Sequence, residues 1–377
     1  MYYLLGGAGY QNFGDELMVR CWLEYLTSKG LDEANIVVDG SDRIKLRNTF
    51  SDSYSSAIYS DLLNKLSEAG DKPTFWNAAA RGATFFDRGG FSNYPKLDEL
   101  AEYLVKASVI HLHGGGYLNK HFPKKGFLLG LAVAASRKTG AVLVGTGLGL
   151  LPLDLPKGNL KDKAESWLEK FSLIETRDEG SAQLLRQISP HANIVSGLDD
   201  TFVGDVKYTN DRKHRLHLSW NFRRTGDEEF KRVIEYTRNF YGRYDEVVFW
   251  NCARNDSGTW EILHNEFPKI RKLDFQDMIS KEMPVNPGDH MLTARFHPHL
   301  IAARGGATGG YFSPGSYYDV KHGSVCDIGS GFFRIPTTEL NYEDFGRNTN
   351  ELFGKAGSLR SLKTDLCADV YEFLQPS

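Results

Sequence analysis

Tyr2-Tyr3-Leu4-Leu5-Gly6-Gly7-Ala8-Gly9-Tyr10-Gln11-Asn12-Phe13-Gly14-Asp15-Glu16 is an apolar run, a glycine turn and the start of a helical pattern. The four residues Tyr2–Leu5 read as a strand, and Asp15–Leu26 has apolar residues at helical spacing. A strand passing through glycines into a helix is the opening unit of a parallel α/β sheet, where backbone N–H groups at the turn can approach a ligand. The turn does not fit two better-known motifs. Asn12 stands where a dinucleotide fingerprint needs its third glycine, and Asp15 and Glu16 stand where a P-loop needs Lys and Ser or Thr. Two carboxylates there would repel a triphosphate. Asn12 and Asp15 suit neutral hydroxyls, although the same residues also fit a plain turn with Asp15 as helix N-cap.

The same alternation continues along the chain. Asn35–Asp39, Thr74–Ala78, Val109–His113, Ala141–Gly145, Ser172–Thr176 and Asn193–Ser196 read as strands. Leu97–Lys106, Phe127–Lys138 and Glu179–Gln187 read as helices between them. A polar stretch, Asp205–His214, interrupts the pattern. A second series follows, with strands at Leu216–Trp220, Glu246–Asn251, Met291–Ala294 and Gly310–Phe312 and a helix over Glu228–Tyr241. Leu362, Leu366, Val370 and Leu374 form one stripe of a closing helix. The expected fold class is α/β: two Rossmann-like domains with mostly parallel sheets, facing a cleft. Residues 1–205 form the first domain and residues 213–360 the second, and the helix 361–377 packs back toward the first.

At 377 residues the chain has room for two such domains. Hydrophobic residues are 41% and charged residues 25%, an ordinary globular balance. A formal net charge of −3 offers no basic field for nucleic acid, so an anionic ligand needs a local basic site. No signal-peptide pattern opens the sequence, and no apolar run is long enough to span a bilayer. The cysteines Cys21, Cys252, Cys326 and Cys367 are scattered and suggest neither disulfides nor a zinc site, so a cytoplasmic location is expected.

Four further motifs carry chemistry. In Val109-Ile110-His111-Leu112-His113-Gly114-Gly115-Gly116, a strand ends on three glycines, which permits close ligand approach. His111 and His113 share one face but lack supporting carboxylates or cysteines, so no metal is expected. His121 follows among Lys120, Lys124 and Lys125, either a solvated loop or an anion guide. Arg177 ends a strand, and its planar fork suits a carboxylate or phosphate unless it is spent on Asp178 or Glu179. Arg295-Phe296-His297 places an anion-binding fork two residues from a side chain that ordinarily titrates near neutrality. Lys321 follows in Ser313–His322, expected as a loop at another strand end, and is either a phosphate contact or a solvated lysine.

In this order, the Gly-Ala-Gly-Tyr-Gln-Asn-Phe-Gly-Asp turn, the triple glycine, Thr176-Arg177-Asp178, Arg295-Phe296-His297 and Lys321 resemble the polysaccharide pyruvyl transferases. The resemblance spans nearly the whole chain and implies a GT-B-like fold. It implies transfer of pyruvyl from phosphoenolpyruvate to a hydroxyl pair of a cell-surface polysaccharide or its precursor, forming a ketal. By position, Arg295, Arg177, Lys321 and His121 would hold the donor, His297 would donate a proton and Asp15 would accept one. Asn12, Gly9 and Gly115 would meet the acceptor. Arg177, Arg295 and His297 are expected on one wall of the cleft, with Asn12 and Asp15 on the other. No cofactor is implied beyond phosphoenolpyruvate as co-substrate. The acceptor is a sugar or glycan, free or lipid-linked, and the protein works in the cytoplasm or at the inner membrane face. Two other readings stand beside this one: a nucleotide-sugar glycosyltransferase of the same fold, and a non-catalytic glycan-binding relative.

Overall fold

The computed structural model describes residues 1–68, 73–93 and 98–371. The chain divides into two compact units. Met1–Tyr10, Asp15–Gly204 and the chain from Arg360 form the first, and Gln11–Gly14 with Asp205–Leu359 form the second. Gln11–Gly14 joins the second unit through backbone pairing. Asn12 bridges Ala253, and the Phe13 N–H donates to the Cys252 carbonyl (2.8 Å).

The first unit holds a seven-stranded sheet. Its strands are β1 (Tyr2–Leu5), β2 (Ile36–Asp39), β3 (Ile58–Ser60), β4 (Val109–Leu112), β5 (Val142–Leu148), β6 (Leu173–Thr176) and β7 (Ile194–Ser196). They lie in the order β3-β2-β1-β4-β5-β6-β7, all parallel. Helical crossovers cover both faces, so β1, β2, β4 and β6 are buried at every position. The second unit has β8 (Arg215–Ser219), β9 (Glu246–Asn251), β10 (Arg271–Asp274), β11 (His290–Thr293), β12 (Thr308–Tyr311) and β13 (Phe333–Arg334). Their order is β10-β9-β8-β11-β12-β13, again parallel. Both are Rossmann-like sheets, with the chain reversing direction across the sheet beside β1 and β8, where such folds bind ligands.

Three expectations differ from the structure. Thr74–Ala78 is not a strand: Thr74 caps a helix, Phe75–Ala83. That helix packs closely on another, Gly126–Thr139, through glycines. A Cβ at Gly130 would lie 1.8 Å from the Ala79 carbonyl oxygen, and one at Gly126 2.1 Å from that of Phe75. The closing helix runs Glu351–Tyr371, and its buried face is not the leucine stripe. Leu362 is 63% exposed, whereas Lys363 and Cys367 are buried; Leu374 lies outside the described residues. Lys321 lies on a helix, Ser316–Asp327, rather than in a loop.

Candidate active site

The predicted residues fall into two groups. Gly9, Asp15, Gly115, His121 and Arg177 belong to the first unit, and Asn12, Arg295, His297 and Lys321 to the second. Asn12 is thus grouped with Arg295 and His297, and Arg177 with Asp15.

In the first unit, the turn after β1 is closed from within. The Gly9 N–H donates to the buried Glu16 carboxylate (2.9 Å). Gly9 has φ +93°, and a Cβ there would lie 2.8 Å from the Asp42 backbone nitrogen. This glycine is therefore required by the fold, and its N–H is already spent, so it offers no donor to an acceptor sugar. Gly115, at φ +132°, exchanges backbone hydrogen bonds with the end of β5, donating to the Gly147 carbonyl (3.4 Å) and accepting from Gly149 N–H (3.1 Å). A Cβ on Gly115 would stand 3.7 Å from Asp15 Oδ1, so the triple glycine and Asp15 are neighbours.

Arg177 follows β6 and is 7% exposed. Its Nη1 donates to Asp199 Oδ2 (3.1 Å), and its guanidinium lies against Gly149, where a Cβ would come within 2.7 Å. Neither partner named from the sequence is used. Asp178 caps the helix Glu179–Ile188, accepting from Ser181 N–H (2.7 Å), and Glu179 pairs with Arg186. The pair with Asp199 holds this buried guanidinium at the β6 end through Nη1. Around His121, the basic group is also partly spent. Lys124 Nζ donates to the Glu68 carbonyl (2.8 Å), and the buried Lys125 donates to Asn64 (2.9 Å) and pairs with Glu68 (3.0 Å).

Behind the triple glycine lies a buried polar network that the sequence does not announce. Asp200 Oδ2 accepts the Gly114 N–H (2.6 Å), the Trp22 indole N–H (2.9 Å) and the Thr146 hydroxyl (2.9 Å). Lys363 reaches in from the closing helix to Asp200 Oδ1 (2.7 Å), to the Glu175 carboxylate and to the Leu198 carbonyl (3.1 Å). Burial opposes ionisation of Asp200, but the Lys363 ammonium outweighs it and holds the carboxyl below its ordinary value. Burial pushes Glu175 upward against the pull of the same ammonium. His111 completes the network. Because Thr146 gives its only proton to Asp200, it accepts from His111 Nε2–H (2.7 Å), and His111 Nδ1 accepts the Tyr2 hydroxyl (2.6 Å). Burial holds His111 neutral, pushed down to about 3, and His113 down to about 4. His111 is hydrogen-bonded at both ring nitrogens, whereas His113 is buried with neither ring nitrogen hydrogen-bonded among the described residues.

In the second unit, β11 delivers Arg295 as the residue before the helix Phe296–Arg304, and His297 sits in that helix's first turn. Arg295 Nη2 pairs with the buried carboxylate of Asp256. Burial opposes the guanidinium charge, but Asp256 overcomes it and raises the arginine further. The His297 ring lies directly over Gly14: a Cβ there would fall 1.6 Å from Nδ1. The glycine that closes the N-terminal motif thus leaves the space that the imidazole fills. Lys321 stands with Nζ 4.0 Å from the Tyr317 ring centroid, a cation–π contact.

The model of the polysaccharide pyruvyl transferase family matches residues 12–281. The chain belongs to that family. Asn12, Asp15, Gly115, His121 and Arg177 lie within the matched span, whereas Gly9, Arg295, His297 and Lys321 lie outside it. Among solved structures, the UDP-GlcNAc 2-epimerase of Neisseria meningitidis, bound to UDP-GlcNAc, is 12% identical. The match covers 96% of this chain and 100% of that one at a TM-score of 0.53. Another UDP-N-acetylglucosamine 2-epimerase is 12% identical over 100% of this chain and 98% of its own, at a TM-score of 0.54. At that identity the likeness is one of fold, the GT-B-like pair of Rossmann domains. No curated protein matches in sequence. No helix among the described residues is long and apolar enough to cross a membrane.

Gly14 and Lys363 are two residues that sequence reasoning missed. Gly14 was legible only as a turn glycine, because its contact with His297 joins residues far apart in the chain. Lys363 was hidden by a leucine stripe of more obvious period. Its signal, a lysine four residues before a cysteine on one helical face, is weak on its own.

Proposed function

We propose that this pyruvyl transferase family member moves the pyruvyl group of phosphoenolpyruvate onto two hydroxyls of a sugar, releasing phosphate and forming a ketal. The observation that carries the reading is the arrangement at the end of β11: a fixed guanidinium, Arg295, two residues from His297, whose ring is seated over Gly14 of the N-terminal motif. An enol phosphate with a carboxylate needs a cationic fork and a proton at its methylene carbon, and these residue types supply both.

In this mechanism the His297 imidazolium protonates the methylene carbon while the first sugar hydroxyl adds to the central carbon. Asp15 accepts that hydroxyl's proton. The carbon–oxygen bond to phosphate then breaks, and the second hydroxyl closes the ketal, its proton leaving with the phosphate. Arg295 and Lys321 hold the donor's charges and stabilise the departing phosphate, and His121 contributes a further donor contact. Arg177, held by Asp199, keeps the β6 end in place. Asn12 and the backbone near Gly115 meet the acceptor, free or lipid-linked, in the cytoplasm or at the inner membrane face.

The test is phosphate release from phosphoenolpyruvate over a panel of sugar acceptors, with calorimetry of phosphoenolpyruvate and UDP-sugars in parallel. His297→Gln should lower turnover by ~10²–10⁴-fold with donor binding largely kept. Arg295→Lys should keep the charge opposite Asp256 yet weaken donor binding, because the planar fork is lost. Tight binding of a UDP-sugar with no binding of phosphoenolpyruvate would reject the proposal in favour of glycosyl transfer.

A further inference from the structure

A pocket of about 660 Å³ lies in the first unit around β3, the outermost strand of its sheet. Its walls include Arg43, Arg47, Ser55, Ser56, Tyr59 and Tyr103. That volume falls in the ordinary range for small-molecule sites, ~300–1,000 Å³, and is more than a lone inorganic anion needs. The pocket begins one residue beyond the Ser41–Asp42 turn that closes on Gly9.

The charges on its helical wall are arranged against the helix's own interest. The helix Arg43–Phe50 carries Arg43, Lys45 and Arg47 and no acidic residue. Arg43 is its first residue, where the helix dipole disfavours a cation. Arg47 stands one turn on, and like charges at that spacing repel. Lys45 is neutralised by the capping Asp42 (3.5 Å). Among the described residues no carboxylate pairs with either guanidinium, and the neighbouring acids are otherwise engaged. Asp61 pairs with Lys65 (2.9 Å) and accepts the Arg43 backbone N–H (3.3 Å), and Glu33 accepts the Ser56 backbone N–H (3.4 Å). The rest of the lining includes two exposed serines before β3, the half-buried Tyr103 and the buried Tyr59, whose hydroxyl is already given to the Tyr54 carbonyl (2.9 Å). Two forks with no carboxylate partner among the described residues, lining the same pocket as hydroxyls and an aromatic ring, match a phosphate on a polyhydroxyl body.

We propose that this pocket binds a phosphorylated saccharide, with Arg43 and Arg47 on the phosphate and the Ser55–Ser56 segment and Tyr103 on the sugar. The site stands on residues of the first unit alone and does not depend on the pyruvyl transfer reading.

The experiment is calorimetry of the full chain with glucose 1-phosphate, inorganic phosphate, glucose and UMP, each at low and high salt. Both arginines are exposed, so the Arg43→Ala/Arg47→Ala protein should keep its melting temperature and its phosphoenolpyruvate affinity. Glucose 1-phosphate should bind more tightly than inorganic phosphate, glucose should not bind, and the double variant should lose about tenfold or more in affinity for glucose 1-phosphate. Arg295→Lys should leave this binding unchanged. The proposal is overturned if glucose 1-phosphate fails to bind, if the double variant binds it as well as the parent, or if Arg295→Lys is what removes it. Tighter binding of UMP would overturn the saccharide assignment.

Discussion

Gly14→Ala separates the fold of this protein from its proposed chemistry. Gly14 lies in the first turn of the helix Phe13–Ser28 without a positive φ, so its backbone accepts alanine. The added methyl falls 1.6 Å from Nδ1 and 2.2 Å from Cγ of His297. Carbon contacts need ~3.5–4.0 Å, so the ring must shift by about 2 Å or change rotamer. A forced side chain costs ~0.5–1.5 kcal/mol, while replacing a helical glycine by alanine returns ~0.5–1 kcal/mol. Net stability should therefore change by no more than about 1 kcal/mol. Turnover should not survive so well, since a misplacement of about 1 Å can already cost ~10²-fold, and the loss of a general acid ~10²–10⁴-fold. The assay is phosphoenolpyruvate-dependent phosphate release, read beside a urea unfolding curve. Gly14→Ala should unfold like the parent, turn over at least ~10²-fold more slowly, and lose nothing further when combined with His297→Gln. A variant with its imidazole displaced but its turnover intact would refute the role given to His297.

Lys363→Met should destabilise the protein by ~3–5 kcal/mol in urea unfolding, because Asp200 and Glu175 then lie buried without their cation. In that variant both carboxyls titrate above their unfolded values, so its deficit against the parent should shrink as pH falls toward 5; a pH-independent deficit would contradict the network. The buried histidines set the acid limit of the parent protein. His111 and His322 are pushed down to about 3 and His113 to about 4, so the unfolded chain takes up protons below pH 6.5 that the folded one refuses. Stability gained above that pH is lost as pH falls, by ~2 kcal/mol for each such histidine at pH 5. Circular dichroism against pH should show unfolding begin well above the carboxylate range, and a protein still fully folded at pH 4 would contradict it.

Much of the fold was legible because parallel strands buried on both faces are continuous apolar runs. Tyr2–Leu5 and Glu246–Asn251 are strands at the boundaries read from the sequence, and the other strands named from it, Thr74–Ala78 apart, shift by a few residues. Thr74–Ala78 misled because its aromatic start looks like a strand, whereas the alanines and the close glycine contacts with Gly126–Thr139 select a helix. β3, β10 and β13 are two to four residues long and leave little period to read. At the site, residue types and strand ends could be read, but partners could not. Asp199 lies twenty-two residues from Arg177, and Gly14 is separated from His297 by most of the chain. Such pairings are set by tertiary packing, which carries no local period.

The most direct measurement is mass spectrometry of a sugar acceptor incubated with the protein and phosphoenolpyruvate, with released phosphate counted in the same sample. The expected result is an acceptor heavier by one pyruvate ketal, one phosphate released per ketal formed, and both products formed ~10²–10⁴-fold more slowly with His297→Gln. Phosphate release without ketal formation, or ketal formation undiminished in His297→Gln, would contradict it.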